Sequence, residues 1–379
     1  MSPRWTRAIG AGLISCAALG AAPALAQDDR SFFAEGSDAA LGLGARQIAM
    51  GGTGAAHAIS PYALHYNPAL LALIDGPVVA FGRQADATLR PYAFAGVAVP
   101  VPGADTFGLR ATLAAARYPR IHARSSGAFA ESDPESVFLR FLLPGIAGTY
   151  DGDIDSKTMV NSFGLGVGPA GHGRWALGLT LNWIDCKTES CGVHANSDGV
   201  EVASAHATAL SFGIGGMVRL GEAVTLAASV TDLGADLSVD VVRTDDGGTD
   251  RLTYSAEVPA RANVEVAWAA RPDLLFAAGV QSYFGSYGDA PVRITSAHFG
   301  AEWAFREGWM ARAGALAPLE ISTGGSEPLD IPVPFAPTLG VGWEGDHLSL
   351  DAAIYAHPIM TFHDARPAIT AELGASYRF

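Results

Sequence analysis

The chain has 379 residues, of which 49% are hydrophobic and only 16% charged, with 45 glycines and 38 acidic residues against 24 basic ones. A net charge of −14 argues against binding a phosphate backbone, so nucleic acid is excluded as a partner. The composition is also too apolar for an ordinary secreted soluble domain.

The chain opens with Arg4 and Arg7, an apolar run from Ala8 to Ala22, and Ala24-Leu25-Ala26 ahead of Gln27. This is the layout of a signal peptide over residues 1–26, cleaved near residue 26. The apolar run falls short of the roughly 20 residues that a bilayer helix needs. Leu13-Ile14-Ser15-Cys16 loosely matches a lipoprotein cleavage box, a second reading of the same segment. Cys186 and Cys191 would remain in an oxidising compartment, close enough in sequence for a local disulfide.

Beyond the signal, every apolar stretch is soon cut by Gly, Arg, Asp or Glu, so no spanning helix is expected. From residue 78 onward the chain breaks into segments of about ten residues with period-two alternation, the signature of strands with one face in lipid. Trp175, Leu177, Leu179, Leu181 and Trp183 alternate with Ala176, Gly178, Thr180 and Asn182; Phe299, Ala301, Trp303 and Phe305 alternate with Gly300, Glu302 and Arg306. Fourteen such segments run from one centred near Val79 to one near Leu373, an even number that brings the chain back to its starting side. Gly- or Pro-bearing turns such as Pro102-Gly103-Ala104 follow the even segments. Long polar connections follow odd ones, at about 119–155, 186–200, 242–254 and 319–335. The expected fold is all-β: a transmembrane antiparallel β-barrel of about 14 strands over residues 78–379, placed in the outer membrane as a multi-pass protein surrounded by outer-membrane lipid.

The connection 119–155 carries Asp133-Pro134-Glu135 and then Phe138, Phe141 and Leu142, which reads as a helix start and an apolar run. That surface either packs on other loops or captures a hydrophobic ligand. Arg110, Glu265, Glu302, Arg312, Glu344, Asp351 and Glu372 fall at lumen positions, where paired charges closing the lumen are favoured over ligand contacts. His122, His194, His357 and His363 are expected as solvated side chains of outer loops. No Gly-x-Ser-x-Gly elbow, His-Glu-x-x-His motif or clustered Cys/His spacing is present, so neither an enzyme nor a metal site nor a cofactor is expected.

Residues 27–77 lack the alternation and are rich in Gly and Ala, as suits a plug packed inside the lumen. Gly42-Leu43-Gly44-Ala45-Arg46, Met50-Gly51-Gly52-Thr53-Gly54-Ala55-Ala56 and Asn67-Pro68-Ala69-Leu70 resemble the amino-terminal region of the long-chain fatty acid transporter (FadL-like) family of outer-membrane proteins. A fainter echo sits in Val258-Pro259-Ala260-Arg261. The resemblance implies a fourteen-stranded barrel with an amino-terminal hatch that moves hydrophobic molecules, fatty acid-like or hydrocarbon, into the outer membrane or periplasm. It makes Asn67, Pro68 and Ala69 hatch residues. The acidic pair often found before Asn-Pro-Ala in the family is replaced here near Ser60-Pro61. A related branch with the same hatch motif serves in protein secretion, so a scaffold or secretion partner is the alternative.

Strand three is the candidate wall opening, because Ala114, Ala115 and Ala116 leave little side chain to fill the wall and Pro119 is expected to interrupt the ladder just beyond. The expected route runs from Phe138, Phe141 and Leu142 past the hatch and sideways into lipid, driven by burial of the cargo. The terminal strand, ending on Tyr377-Arg378-Phe379, resembles those recognised by the barrel assembly machinery.

Overall fold

The computed structural model describes residues 31–35, 41–85, 93–129, 150–171, 173–187, 191–197, 200–245, 248–287, 290–323, 335–357 and 369–379. The proposed signal peptide and Phe138, Phe141, Leu142 and His363 lie outside them.

Fourteen strands among the described residues make the wall: β1 (Val78–Ala85), β2 (Ala93–Pro100), β3 (Leu109–Phe129), β4 (Tyr150–Pro169), β5 (Trp175–Lys187), β6 (Val200–Leu220) and β7 (Val224–Leu233) form one half. The other half is β8 (Ala260–Arg271), β9 (Leu274–Tyr287), β10 (Ala290–Arg306), β11 (Trp309–Thr323), β12 (Ala336–Glu344), β13 (Leu348–Ala356) and β14 (Ile369–Arg378). Each strand pairs antiparallel with its sequence neighbours, and β14 pairs with β1 from Ala371↔Ala85 to Arg378↔Val78, which closes the barrel. Closure leaves the sheet without an edge, so every backbone group in the span finds its partner inside the wall.

Side-chain alternation sorts the two faces. Leu113, Leu179 and Val264 are 57%, 57% and 64% exposed, while their inward neighbours Thr112 and Thr180 are buried. Trp175, Trp183, Trp303 and Phe305 also point outward, as girdle residues do. An apolar band around a closed barrel is stable only in a bilayer, so this is a membrane barrel. No helix among the described residues is long and apolar enough to cross a membrane; the crossing is made by strands.

One rim carries short turns, such as Gly221 to Ala223 between β6 and β7, and the other carries the long connections. The sequence expectation of long outer loops is corrected here. Much of 119–155 and 186–200 is strand, because β3 runs on to Phe129, β4 starts at Tyr150, and Cys191–Ser197 pairs with β4. Likewise 242–254 is the tip of a hairpin, Asp236–Asp245 with Gly248–Glu257. Beyond the bilayer both faces of a strand meet water, so the apolar alternation that marks a lipid-facing strand disappears while the backbone ladder continues. Pro119 does not end the ladder; β3 and β4 stay paired past it with one register shift between Pro119 and Ile121. At the amino end, Ser31–Glu35 joins the outer part of β3, pairing with His122–Ser126.

Candidate functional site

Residues 41–77 fold inside the barrel as a hatch: a short helix α1 (Ala45–Ala49), a turn of glycines, a short helix α2 (Ala63–Tyr66) and a 3₁₀ helix Pro68–Leu73. Leu43, Leu64, Leu70 and Leu71 are fully buried and give the lumen an apolar core. The two halves of the hatch are tied by Tyr66, whose hydroxyl accepts from the Leu43 N–H and donates to the Leu43 carbonyl, both at 2.9 Å.

Asn67-Pro68-Ala69 is the start of the 3₁₀ helix. Asn67 is its N-cap, with its Oδ1 accepting from Ala69 N at 3.1 Å, and Pro68 takes the first position, where no N–H is missed. The Asn67 amide also donates to the carbonyls of Ala55 at 2.9 Å and Gly216 at 3.1 Å, so one buried side chain caps a helix, bridges the hatch and anchors it to β6. The turn lies in a groove of inward glycines. A methyl at Gly178 would overlap Pro68 and Ala69, and one at Gly166 would lie 2.6 Å from Ala72 N. Only strands without Cβ atoms there admit the turn. Its seat is therefore β4, β5 and β6, with β3 alongside.

The rest of the hatch is held by polar side chains from the opposite wall. The Glu265 carboxylate accepts three consecutive backbone N–H groups, from Gly54, Ala55 and Ala56, at 2.8, 3.1 and 2.9 Å. Such a nest of N–H groups satisfies a buried anion without a cation. Glu372 accepts from Gly44 N at 2.9 Å, and Thr338 and His298 bond the backbone of Gly51 at 3.0 and 2.7 Å. Arg46 grips Glu302 through two bonds of 2.8 and 2.7 Å, while Arg312 bridges Glu302 at 2.6 Å and Asp351 at 2.7 Å. Beside this network, towards the short-turn rim, lies a polar hollow of about 120 Å³ that Glu344 also lines. Arg110 pairs with Asp75 near the same rim.

Two hatch histidines are kept neutral. Burial, and then the charge of Arg46, push His57 down to about 3; burial, with Arg261 and Arg120, holds His65 well below the usual histidine range. His57 Nε2 stands 3.7 Å from Glu265, but an uncharged ring makes no ion pair; its hydrogen bond is to Thr53 at 3.1 Å. Arg261, within the Val-Pro-Ala-Arg echo, reaches the His65 carbonyl. That contact was not legible in the sequence, since only the fold brings residue 261 to residue 65.

Ala114 and Ala116 face the lumen and Ala115 faces out, all three inside continuous ladders with β2 and β4. Small side chains thin the wall without loosening it, because the ladder is made by backbone. The ladder from β3 to β2 runs to Arg117↔Ala95, and that from β3 to Ser31–Glu35 takes up at His122↔Glu35. Cys186 lies in β5 and Cys191 at the start of the adjoining outer strand; their side chains lie outside the described part. His357, expected as a solvated loop residue, is buried beside Tyr355. The side chains of His122 and His194 also lie outside the described part. A hollow of about 1150 Å³ lies on the lipid side of β5 to β10 rather than in the lumen.

No protein-family model and no curated protein matches the chain. Solved structures do. The Ralstonia pickettii toluene transporter TbuX superposes with a TM-score of 0.59 at 16% identity, covering 90% of this chain and 99% of its own. The P. putida toluene transporter TodX gives 0.55 at 15% identity, with 90% and 99% covered, and a Pseudomonas aeruginosa FadL homologue gives 0.54 at 13%, with 84% and 94% covered. The chain has the FadL-like fold. In this FadL-like barrel the sequence motifs of residues 42–70 all fall in the lumenal hatch.

Proposed function

We propose that this FadL-like barrel is an outer-membrane channel that passes hydrophobic small molecules, fatty acid-like or hydrocarbon, without an energy source. The observation that carries the reading is a lumen closed by the chain's own amino-terminal segment, seated on the wall through Asn67 and Pro68, in a barrel of the same fold as two proteins described as toluene transporters. The hatch is fixed by contacts that break one at a time, so it can shift without unfolding the wall. Apolar cargo captured at the outer rim, with Phe138, Phe141 and Leu142 as the capturing residues, moves down to the hatch. It leaves sideways through the wall at Ala114, Ala115 and Ala116 of β3, where small side chains thin it, driven by burial in lipid. The terminal strand, ending on the exposed Phe379, is the segment offered to the assembly machinery.

The test is transfer of a hydrophobic fluorescent probe across vesicles containing the protein. Gly178→Leu, which removes the seat of Pro68, should change the transfer rate several-fold while the barrel still assembles. Transfer equal to that of barrel-free vesicles, before and after the substitution, sinks the transport reading. It would then leave the scaffold or secretion partner, which the tight seal around Glu265 and Glu302 favours.

A further inference from the structure

Of the register slips in the wall, two bring their extra residues together. Between Pro119 and Ile121 the β3–β4 register slips, and the added residue is Arg120. Between Phe212 and Ile214 the β6–β7 register slips, and β7 sets Thr231 and Asp232 against a single residue of β6. Asp232 has φ 61°, the only positive φ outside glycine among the described residues. A bulge re-aims a side chain that would otherwise follow the pleat, and a left-handed non-glycine residue persists only where its surroundings hold it. Here both bulges aim inward. Arg120 Nη1 donates to Asp232 Oδ2 at 2.6 Å, and Arg120 Nη2 to the Pro259 carbonyl at 3.2 Å. Asn182 and Ser211 donate to Asp232 Oδ1 at 3.3 and 3.0 Å, and Ser162 donates to Asn182 at 2.7 Å.

The ladders place this cluster in the lumen. Gly166, Gly178 and Gly215 pair across β4, β5 and β6 at the level of Pro68; Gly164, Thr180 and Gly213 form the next inward row; Ser162, Asn182 and Ser211 form the one after it, toward the long-connection rim. Beyond them the row Val160, Ile184 and Ala209 is buried and apolar. The ion pair thus lies between an apolar collar and the hatch turn, spanning from β3 to β7 above the strands on which the turn sits.

We infer that Arg120 and Asp232 form a second closure of the lumen, a polar bar that cargo must displace before it reaches the hatch. The inference rests on the transport reading for its purpose, though not for its geometry. Two closures in series keep the lumen sealed to water while the hatch shifts, and this buried pair, held by Asn182, Ser211 and the Pro259 carbonyl, opens only when those partners are displaced.

The test uses the full barrel carrying Cys186→Ser, Cys191→Ser and Thr180→Cys, which puts one thiol in the row directly beneath the bar. In Arg120→Met with Asp232→Asn both halves of the ion pair are removed together, and Asn keeps the left-handed backbone. A water-soluble thiosulfonate reagent should label the introduced thiol faster by about tenfold or more, in protein whose heat-modifiable gel mobility shows an assembled barrel. Unchanged labelling overturns the bar. Should the pair of substitutions prevent assembly, Arg120→Lys, too short to hold Asp232 and Pro259 together, is read the same way. Faster labelling with faster transfer of the hydrophobic probe supports both readings; faster labelling with transfer at the barrel-free level keeps the bar and removes transport.

Discussion

Glu265 ends three peptide N–H groups of the hatch at once, and an amide in its place offers one acceptor oxygen and no charge. Glu265→Gln should weaken hatch docking by about 1–3 kcal/mol, seen as faster hydrogen exchange at Gly54, Ala55 and Ala56 with the wall strands unaffected. On the other face of the wall, Leu179→Arg puts a charge into lipid and should cost about 2–4 kcal/mol in a denaturant titration of refolded barrel. Gly178, its neighbour, faces the hatch, so Gly178→Arg should act through loss of hatch docking. Equal effects at 178 and 179 on both readouts would contradict the register. Alternation alone assigned these two faces. It also turned Glu265 inward, but the three N–H groups it serves lie more than two hundred residues earlier and no local pattern names them.

At the scale of elements, the hatch carries its own pH response. His57 has its value at about 3 in the seated hatch against about 6.5 for a free histidine, so the released hatch binds the proton first. The contribution of His57 to docking is therefore fully present above about pH 6.5 and is lost as pH falls toward 3, with His65 acting in the same direction. Between pH 6.5 and pH 4, limited proteolysis of residues 41–77 should speed up more in the wild-type protein than in His57→Gln, a comparison that isolates His57 from Glu265 at 3.7 Å. In the outer strands, a disulfide between Cys186 and Cys191 would order the connection after β5 and add little to barrel stability, because the loop it closes is short. Alkylation of both thiols in non-reduced protein would reject that pairing. The strand extensions that carry Cys191 and the hairpin 236–257 were hidden in the sequence, since their residues lack the apolar alternation that marks a lipid-facing strand.

For the whole molecule, wall and hatch have separable causes of stability. The wall rests on ladders that close on themselves and on an apolar band in lipid; the hatch rests on the wall. Removing residues 41–75 should leave a barrel with heat-modifiable mobility whose ion conductance in a planar bilayer is well above that of the intact protein. A deletion variant that fails to assemble would mean that Leu43, Leu64 and Leu70 serve as a core that the barrel needs in order to close.

Legible in the chain alone were the fourteen strands of the wall, their lipid and lumen faces, and a hatch with an Asn-Pro-Ala turn ahead of them. All of these are periodicities or turn chemistry written within a few residues. Tertiary structure alone decided where the hatch sits, which glycines receive Pro68, which acids hold Gly44, Arg46 and Gly54, and that Arg120 meets Asp232. Those contacts join residues from opposite parts of the chain, and the last of them depends on two register slips. A slip of one residue leaves the composition of a strand unchanged while it redirects a side chain from the wall into the lumen.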